Sequence, residues 1–515
     1  MRSTHPINLS SPAGDRQRER AVDRKVEVSH SPSKMKFAVL ALGSRTAQST
    51  WALVSLRERG ERLGKLRQLL VEHAVGLAQE IALVRNCSAA EAIVTELHPL
   101  ADALRFLEKN MTRLLGPRRL GRRGRPVWLG GVDSEIQRAP HGLVLVIGPG
   151  NYPVLLTAIP ALQAIAAGNA VWIKPAPGCS AALDLLQQLL TRSRIAPELL
   201  TILPDTVEAA QAAIAAKPDK VVFTGSAETG RKILEQLAPQ LTPATMELSG
   251  CDAVFIRDDA DLELAARALA FGITLNRGAT CIAPRRVFVP GQHLVSLGQK
   301  LAAELAVRDP IELPATGAKW LPAVQAALAD GALLVNGKIR PTAISGPLVL
   351  THARPEMRLL REDTFAPVMS LVPVTSDEAA LRANARCPYS LGASVFSRNP
   401  TAARDLANRI RAGSVIINDL IVPTADPRLP FGGVGESGFG VTRGAEGLLE
   451  MTFSKAIIHN ASRRRLHYQA ISERETPLFA ALLELAHGRG WGQRARALGA
   501  LVRFASKRNN HSHNS

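Results

Sequence analysis

Apolar residues fall along this chain in short unbroken runs, separated by segments of helical spacing. "LVLVI" (143–147), "AVWIK" (170–174), "LLTIL" (199–203), "KVVFT" (220–224) and "ATMEL" (244–248) are the first such runs. Each is short and does not alternate, so each predicts a strand buried on both faces. Between them, "SAALDLLQQLL" and "RKILEQL" space their apolar residues three and four apart, as helices do. Strands alternating with helices predict a parallel sheet covered on both sides. Ligands of such sheets lie beyond the carboxyl ends of the strands. That rule draws attention to Asn151, Lys174, Gly225 with Ser226, and Glu247, which end or follow these runs.

A second series of the same kind follows. "AVFI" (253–256), a helix predicted over 261–275, "RRVFV" (285–289), "GASVF" (392–396) and "GSVIIN" (413–418) predict a second α/β domain facing the first, with Cys281 near its start. From Trp51 to Met111 the spacing is helical. The stretch from Gly142 to Ile173 carries no charge and is long enough to span a membrane. "GPGNYP", Pro160 and "GN" at 168–169 break it, so it reads as strand, turn, helix, turn and strand within a soluble domain. Residues 1–34 are polar, without the apolar core of a signal peptide, and predict a disordered basic tail.

With 515 residues, 46% of them hydrophobic, the chain has material for two or three domains with real cores. The net charge of +18 would suggest a polyanion partner, but its distribution does not. Residues 1–34 (net +3), residues 461–515 (net +7) and the five arginines of "GPRRLGRRGRP" (116–126) hold +15 of it. A basic fringe on a near-neutral body reads as solvated tails and one exposed loop, and no nucleic-acid partner is expected. Five cysteines, at 87, 179, 251, 281 and 387, form no CxxC pair. They predict neither a disulfide framework nor a metal site, and they suit a reducing cytoplasm.

Taken singly, the candidate residues are ambiguous. "FTGSAETG" (223–230) is a strand end, a glycine turn and a helix start, which favours a phosphate but also suits any βα turn. Glu247 in "MELSG" is a potential base or a salt-bridge partner. Lys174 is a ligand contact or a lysine snorkelling to the sheet edge. Asn151 is a turn residue or an oxyanion donor. Cys281 in "LNRGATCIAPRR" is a core thiol or a nucleophile.

In combination, "GPGNYP", "IKP", "FTGSAETG", "MELSG", "NRGATC", "EDTFAPV" and "PFGGVGESGFG" resemble, in order, the aldehyde dehydrogenase superfamily over about residues 50–460. "GNYP" and "GATCIAP" look most like its class 3 and fatty-aldehyde branch. The resemblance implies a Rossmann-like cofactor domain (35–125 and 141–247), a catalytic domain (248–450) and a small bridging β arm (126–140 and 451–460). A tail (461–515) has no clear counterpart. It implies NAD(P)-dependent oxidation of a small-molecule aldehyde to an acid through a thiohemiacetal and a thioester. Cys281 would be the nucleophile and Glu247 the base for hydrolysis. Asn151 would hold the oxyanion with the Cys281 N–H. Lys174, Gly225, Ser226, Gly230, Glu362 and Phe365 would bind NAD or NADP. The arm implies a homodimer or larger oligomer. A coenzyme A-acylating relative and a non-catalytic dinucleotide-binding protein are the alternatives; a base at Glu247 favours water as acceptor.

One departure bears on the cofactor. Members of this type often carry a glutamate that holds the adenosine ribose, and Pro177 of "KPAP" stands in its place. NADP is therefore expected to be accepted at least comparably to NAD. In the tail, Leu498, Leu501, Val502 and Ala505 stand at i, i+3, i+4 and i+7 among Arg494, Arg496, Arg503, Lys507 and Arg508. They predict a basic amphipathic helix, docked on its own subunit or partner, or making peripheral contact with an anionic membrane from the cytoplasm.

Overall fold

The structure, a computed structural model, describes residues 32–511 apart from 130, 463–467 and 469. Among these residues the chain forms two compact units, one of 32–116 with 138–455 and one of 117–137 with 456–511. Strands are numbered in chain order.

The larger unit holds two sheets. In the first, β3 (Leu143–Ile147), β4 (Ala170–Lys174), β5 (Leu200–Ile202), β6 (Lys220–Gly225) and β7 (Ala244–Leu248) run parallel, in the spatial order β7-β6-β3-β4-β5. A late segment, β18 (Gly438–Phe439), closes the β7 edge antiparallel, with Gly438 opposite Glu247. The helix Leu155–Ala167 between β3 and β4 is buried at every position. This explains the uncharged 142–173 stretch: no face of that strand–helix–strand unit meets water. Burial of each large aliphatic side chain here contributes roughly 1.5–3 kcal/mol.

The first helix, Pro32–Ala52, starts earlier than the pattern from Trp51 predicts. It packs on the sheet through Phe37, whose ring stands edge-on to Trp172 with centroids 5.9 Å apart. Its Ser44 accepts the Trp172 indole N–H at 3.0 Å. Of the tail expected over 1–34, residues 32–34 therefore belong to a helix, opened by a proline at its first position. Residues 1–31 lie outside the described residues.

The second sheet has a parallel core of β8 (Asp252–Ile256), β9 (Pro284–Pro290), β12 (Ala343–Thr351), β13 (Val368–Val374), β15 (Gly392–Phe396) and β16 (Ser414–Ile417). Their order is β12-β13-β9-β8-β15-β16, with β10 (Ile311–Pro314) and β11 (Leu333–Ile339) antiparallel on β12. A small pair, β14 (Tyr389–Ser390) and β17 (Val434–Gly435), stands apart. The chain passes from one sheet to the other within three residues, 249–251. The carboxyl end of β7 thus adjoins the amino ends of β8 and β9, where Asp252 pairs with Pro284.

In the smaller unit, β1 (Arg118–Leu120), β2 (Val132–Pro140) and β19 (Thr452–Asn460) form a three-stranded sheet. The arginine-rich segment read as a loop is thus partly a strand, its side chains exposed and Arg119 paired with Glu135 at 3.4 Å. Helices Thr476–His487 and Gly490–His511 make a hairpin. Among the described residues no helix is long and apolar enough to cross a membrane, and no group of His, Cys, Asp or Glu is placed to hold a metal ion.

Candidate active site

Glu247 lies at the carboxyl end of β7, 3% exposed. One oxygen, Oε2, accepts the hydroxyl of Thr224, directly opposite on β6, at 3.1 Å. The other, Oε1, lies 3.7 Å from Cys281 Sγ. Burial pushes the Glu247 carboxyl above its ordinary range, opposed chiefly by the charge of Arg443. Burial also raises the Cys281 thiol well above its usual value, with the Glu247 charge adding to the effect. The resting contact is therefore a thiol against the Glu247 carboxyl, with the charge of Arg443 opposing the effect of burial on both groups.

The loop that presents Cys281 is wound left-handed over three residues, with φ 48° at Asn276, 55° at Arg277 and 78° at Gly278. Only glycine serves at 278, where a Cβ would sit 2.4 Å from the Pro367 nitrogen. Two cationic side chains hold this loop, and a third, Arg286, holds the neighbouring 249–251 connection. Buried Arg285 donates to the carbonyls of Ala366, Gly278 (2.6 Å) and Thr280 (3.5 Å). Arg286 donates to Cys251 O at 2.8 Å. Arg85, its side chain 1% exposed, donates to Asn276 Oδ1 at 3.0 Å. The amide of Asn276 in turn donates to the carbonyls of Asn151 (2.9 Å) and Ala279 (3.1 Å). Each hydrogen bond to a charged group contributes about 1.5–3 kcal/mol.

Asn151 follows β3 and donates from Nδ2 to Ala279 O at 3.2 Å, leaving a second amide hydrogen. Its position is fixed from below. Glu96, fully buried, pairs with Arg85 at 3.2 Å and accepts the N–H groups of Val154 and Leu155 at 2.8 and 3.0 Å. Arg85 stacks 4.7 Å over the Tyr152 ring, whose hydroxyl meets Thr280 Oγ1 at 2.7 Å. A cavity of about 310 Å³ opens beside Asn151, lined also by Asn276, Arg277, Trp320 and Phe365.

Along the same carboxyl edge, Gly225 and Ser226 connect β6 to the helix Ala227–Leu237, whose N-terminus Ser226 caps by accepting the Thr229 N–H at 3.2 Å. Gly230 lets this helix lie close on β7, since a Cβ there would meet Leu248 at 2.7 Å. Lys174 ends β4, buried, and burial lowers its pKa. A helix start after β6 and a lysine at the end of β4, with β3 between them, suit a pyrophosphate and a ribose.

The sequence model of the aldehyde dehydrogenase family matches residues 30–457. The chain belongs to the aldehyde dehydrogenase family. It is 31% identical over 430 residues to a 4,4'-diapolycopene aldehyde oxidase of Methylomonas sp, covering 82% of this chain and 81% of that one. It is 29% identical over 402 residues to a dimeric, NADP-preferring aldehyde dehydrogenase of Mus musculus, covering 76% and 87%. The NAD+ complex of a Bacillus cereus aldehyde dehydrogenase superposes with a TM-score of 0.76 at 25% identity, over 83% of this chain and 89% of that one. This aldehyde dehydrogenase is an oxidoreductase that uses NAD or NADP, built on the family's α/β fold.

Of the residues singled out in its sequence, Cys281, Glu247 and Asn151 converge, and Lys174, Gly225, Ser226 and Gly230 line one sheet edge. Phe365 borders the cavity beside Asn151. Glu362 is not brought to them: its carboxylate, 44% exposed, pairs with Arg358 at 2.5 Å, one helical turn back. The next residue, Asp363, turns inward instead. It accepts the Phe365 N–H at 2.9 Å and a bond from Ser249, with Arg285 nearby. Sequence reasoning passed over Asp363, Arg85, Glu96 and Arg443. For Asp363 the adjacent acid in "EDTFAPV" was the available signal; the other three carry none.

Proposed function

We propose that Cys281 is the nucleophile, Glu247 the base for hydrolysis and Asn151 an oxyanion donor. The observation that carries this reading is the 3.7 Å approach of Cys281 Sγ to Glu247 Oε1, with the Asn151 amide bonded to Ala279, two residues before the cysteine. The thiol loses its proton to solvent and the thiolate adds to the aldehyde carbon. The free Asn151 amide hydrogen and the Cys281 N–H receive the oxygen's charge. The oxidised dinucleotide, which Lys174, Gly225, Ser226 and Phe365 would hold, would supply the acceptor for the hydride that leaves that carbon. Cys281 then carries a thioester. Glu247, ionised, removes a proton from the attacking water, and collapse releases the acid and the thiolate. Arg285 and the Arg85–Glu96 pair position the Cys281 and Asn151 loops, and Arg286 holds the 249–251 connection at Cys251. Asp363, rather than Glu362, offers the carboxylate at the Phe365 turn. Replacing Cys281 by alanine tests the assignment: aldehyde oxidation should vanish while dinucleotide binding persists, and near-normal turnover would overturn it.

The same reading extends to partners. Phe453, Ile457 and Ile458 are exposed on β19, which supports pairing of the arm with a second copy. Light scattering of the wild type against Ile458→Lys tests it; equal masses refute it. The C-terminal hairpin exposes Phe479, Leu483, Trp491 and Leu498 beside Arg489, Arg494 and Arg496, which supports contact with an anionic membrane surface. Co-sedimentation with anionic vesicles should be lost when the chain ends at 460.

A further inference from the structure

The turn after β4 contains no acid, since 175–178 read Pro-Ala-Pro-Gly. The structure nevertheless puts a carboxylate against it. β5 lies beside β4 with Ile202 opposite Ile173, and three residues beyond its end comes Asp205. Asp205 Oδ2 accepts the Gly178 N–H at 2.6 Å, bridging the two strand ends. Asp205 is half-buried, beside Pro177 and Gly178, which are exposed. Its charge also opposes the effect of burial on Lys174, which ends β4 beside this turn.

The strand order says what passes this pair. The nucleophile lies beyond β7, at one side of the sheet, and the helix start that suits a pyrophosphate follows β6. A dinucleotide with its reacting ring at Cys281 must carry its adenosine half the other way, across β3 towards β4 and β5. Adjacent strands stand about 4.8 Å apart, so the end of β4 is about 10 Å from that of β6.

We propose that Asp205 supplies, from the neighbouring strand, the carboxylate that Pro177 lacks, and that with Lys174 it binds the adenosine ribose hydroxyls and disfavours a 2′-phosphate. This rests on the placement of the dinucleotide along the first sheet. It reverses the expectation drawn from Pro177 alone: Lys174 shares the strand ends with a carboxylate rather than awaiting a phosphate by itself. The residue escaped notice in the sequence because an aspartate just before a helix, as in "LPDTVEAA", is an ordinary turn residue.

Calorimetric titration of NAD+ and NADP+ in the absence of aldehyde tests the proposal without relying on turnover. The wild type should bind NAD+ at least tenfold more tightly. Asp205→Asn keeps an oxygen for the Gly178 N–H and loses only the charge, and it should shift the NAD+/NADP+ ratio towards NADP+ by about tenfold to a hundredfold. Adenosine 5′-monophosphate and adenosine 2′,5′-bisphosphate should reproduce the shift with the adenosine half alone. An unchanged ratio in Asp205→Asn, or a wild type that prefers NADP+, overturns the proposal and leaves Asp205 as a brace for the turn. Should the wild type bind neither dinucleotide, the placement along the sheet fails, and the proposal with it. If Asp205→Asn melts early, Asp205→Glu replaces it. Retained charge should then retain the preference, and loss of preference despite the charge counts against the proposal.

Discussion

Glu247→Gln should move two observables in opposite directions. The substitution keeps size and an acceptor for Thr224 but removes the charge 3.7 Å from Cys281 Sγ. With an effective permittivity of about 20, a carboxylate at that distance opposes a thiolate by about 4 kcal/mol. This is an upper bound, because burial raises the Glu247 carboxyl and so favours its neutral form. Each 1.4 kcal/mol is a tenfold change in equilibrium. Alkylation of Cys281 by iodoacetamide, which follows the thiolate fraction, should therefore quicken by about tenfold to a thousandfold at neutral pH. Hydrolysis loses its base, so steady-state turnover should fall by about 10²–10⁴, with a burst of reduced cofactor remaining. Stopped-flow absorbance and mass-resolved alkylation measure the two arms. Slower alkylation would refute the argument, since Glu247 would then be the proton acceptor for the thiol itself. Unchanged turnover would make it a structural carboxylate.

The pH profile gives a second check. A raised carboxyl is protonated below its shifted pKa, so deacylation should fall as pH drops through a limb above the ordinary carboxylate range, and Glu247→Gln should lack that limb. Arg285→Met removes bonds to three carbonyls around the nucleophile loop and should cost about 2–4 kcal/mol of stability, read by thermal melting, with kcat falling more than cofactor affinity. Asp363→Asn should raise the KM for the dinucleotide, whereas Glu362→Gln should stay within about twofold, as an exposed i,i+4 pair is worth only about 0.3–0.5 kcal/mol; the reverse result would restore Glu362 to the site. Alanine at Cys87, Cys179, Cys251 or Cys387 should leave turnover within a few-fold, as steady-state kinetics would show.

What the sequence disclosed and what it withheld have physical causes. Strands buried on both faces write themselves as apolar runs, and residues at their carboxyl ends stand out by contrast, as Glu247 and Lys174 do. Arg85 does not stand out. At the last position of a helix, its cation looks like a favourable end charge. Its burial against Glu96 and its hold on Asn276, 191 residues away, arise only when the helical layer meets the second sheet. Arg285 opens a strand whose apolar run begins after it, so it looked like an edge residue until the loop carbonyls closed around it. The choice between Glu362 and Asp363 turns on which of two adjacent acids faces inward, and an irregular turn has no period to settle that.

The pairing of β18 with β7 bears on how the protein is made. A strand carrying the proposed base finds its outer neighbour only in Gly438–Phe439, about 190 residues later. During synthesis the cofactor sheet must therefore wait, with one hydrogen-bonding edge open, until nearly the whole second sheet has emerged. Such a contact slows folding and leaves a strand edge available for misassociation in the interval. A fragment ending near residue 250 would keep that edge permanently. The two halves of this enzyme are thus separable as drawings of a fold but not as products of a ribosome, and chains interrupted before residue 439 should collect in the insoluble fraction.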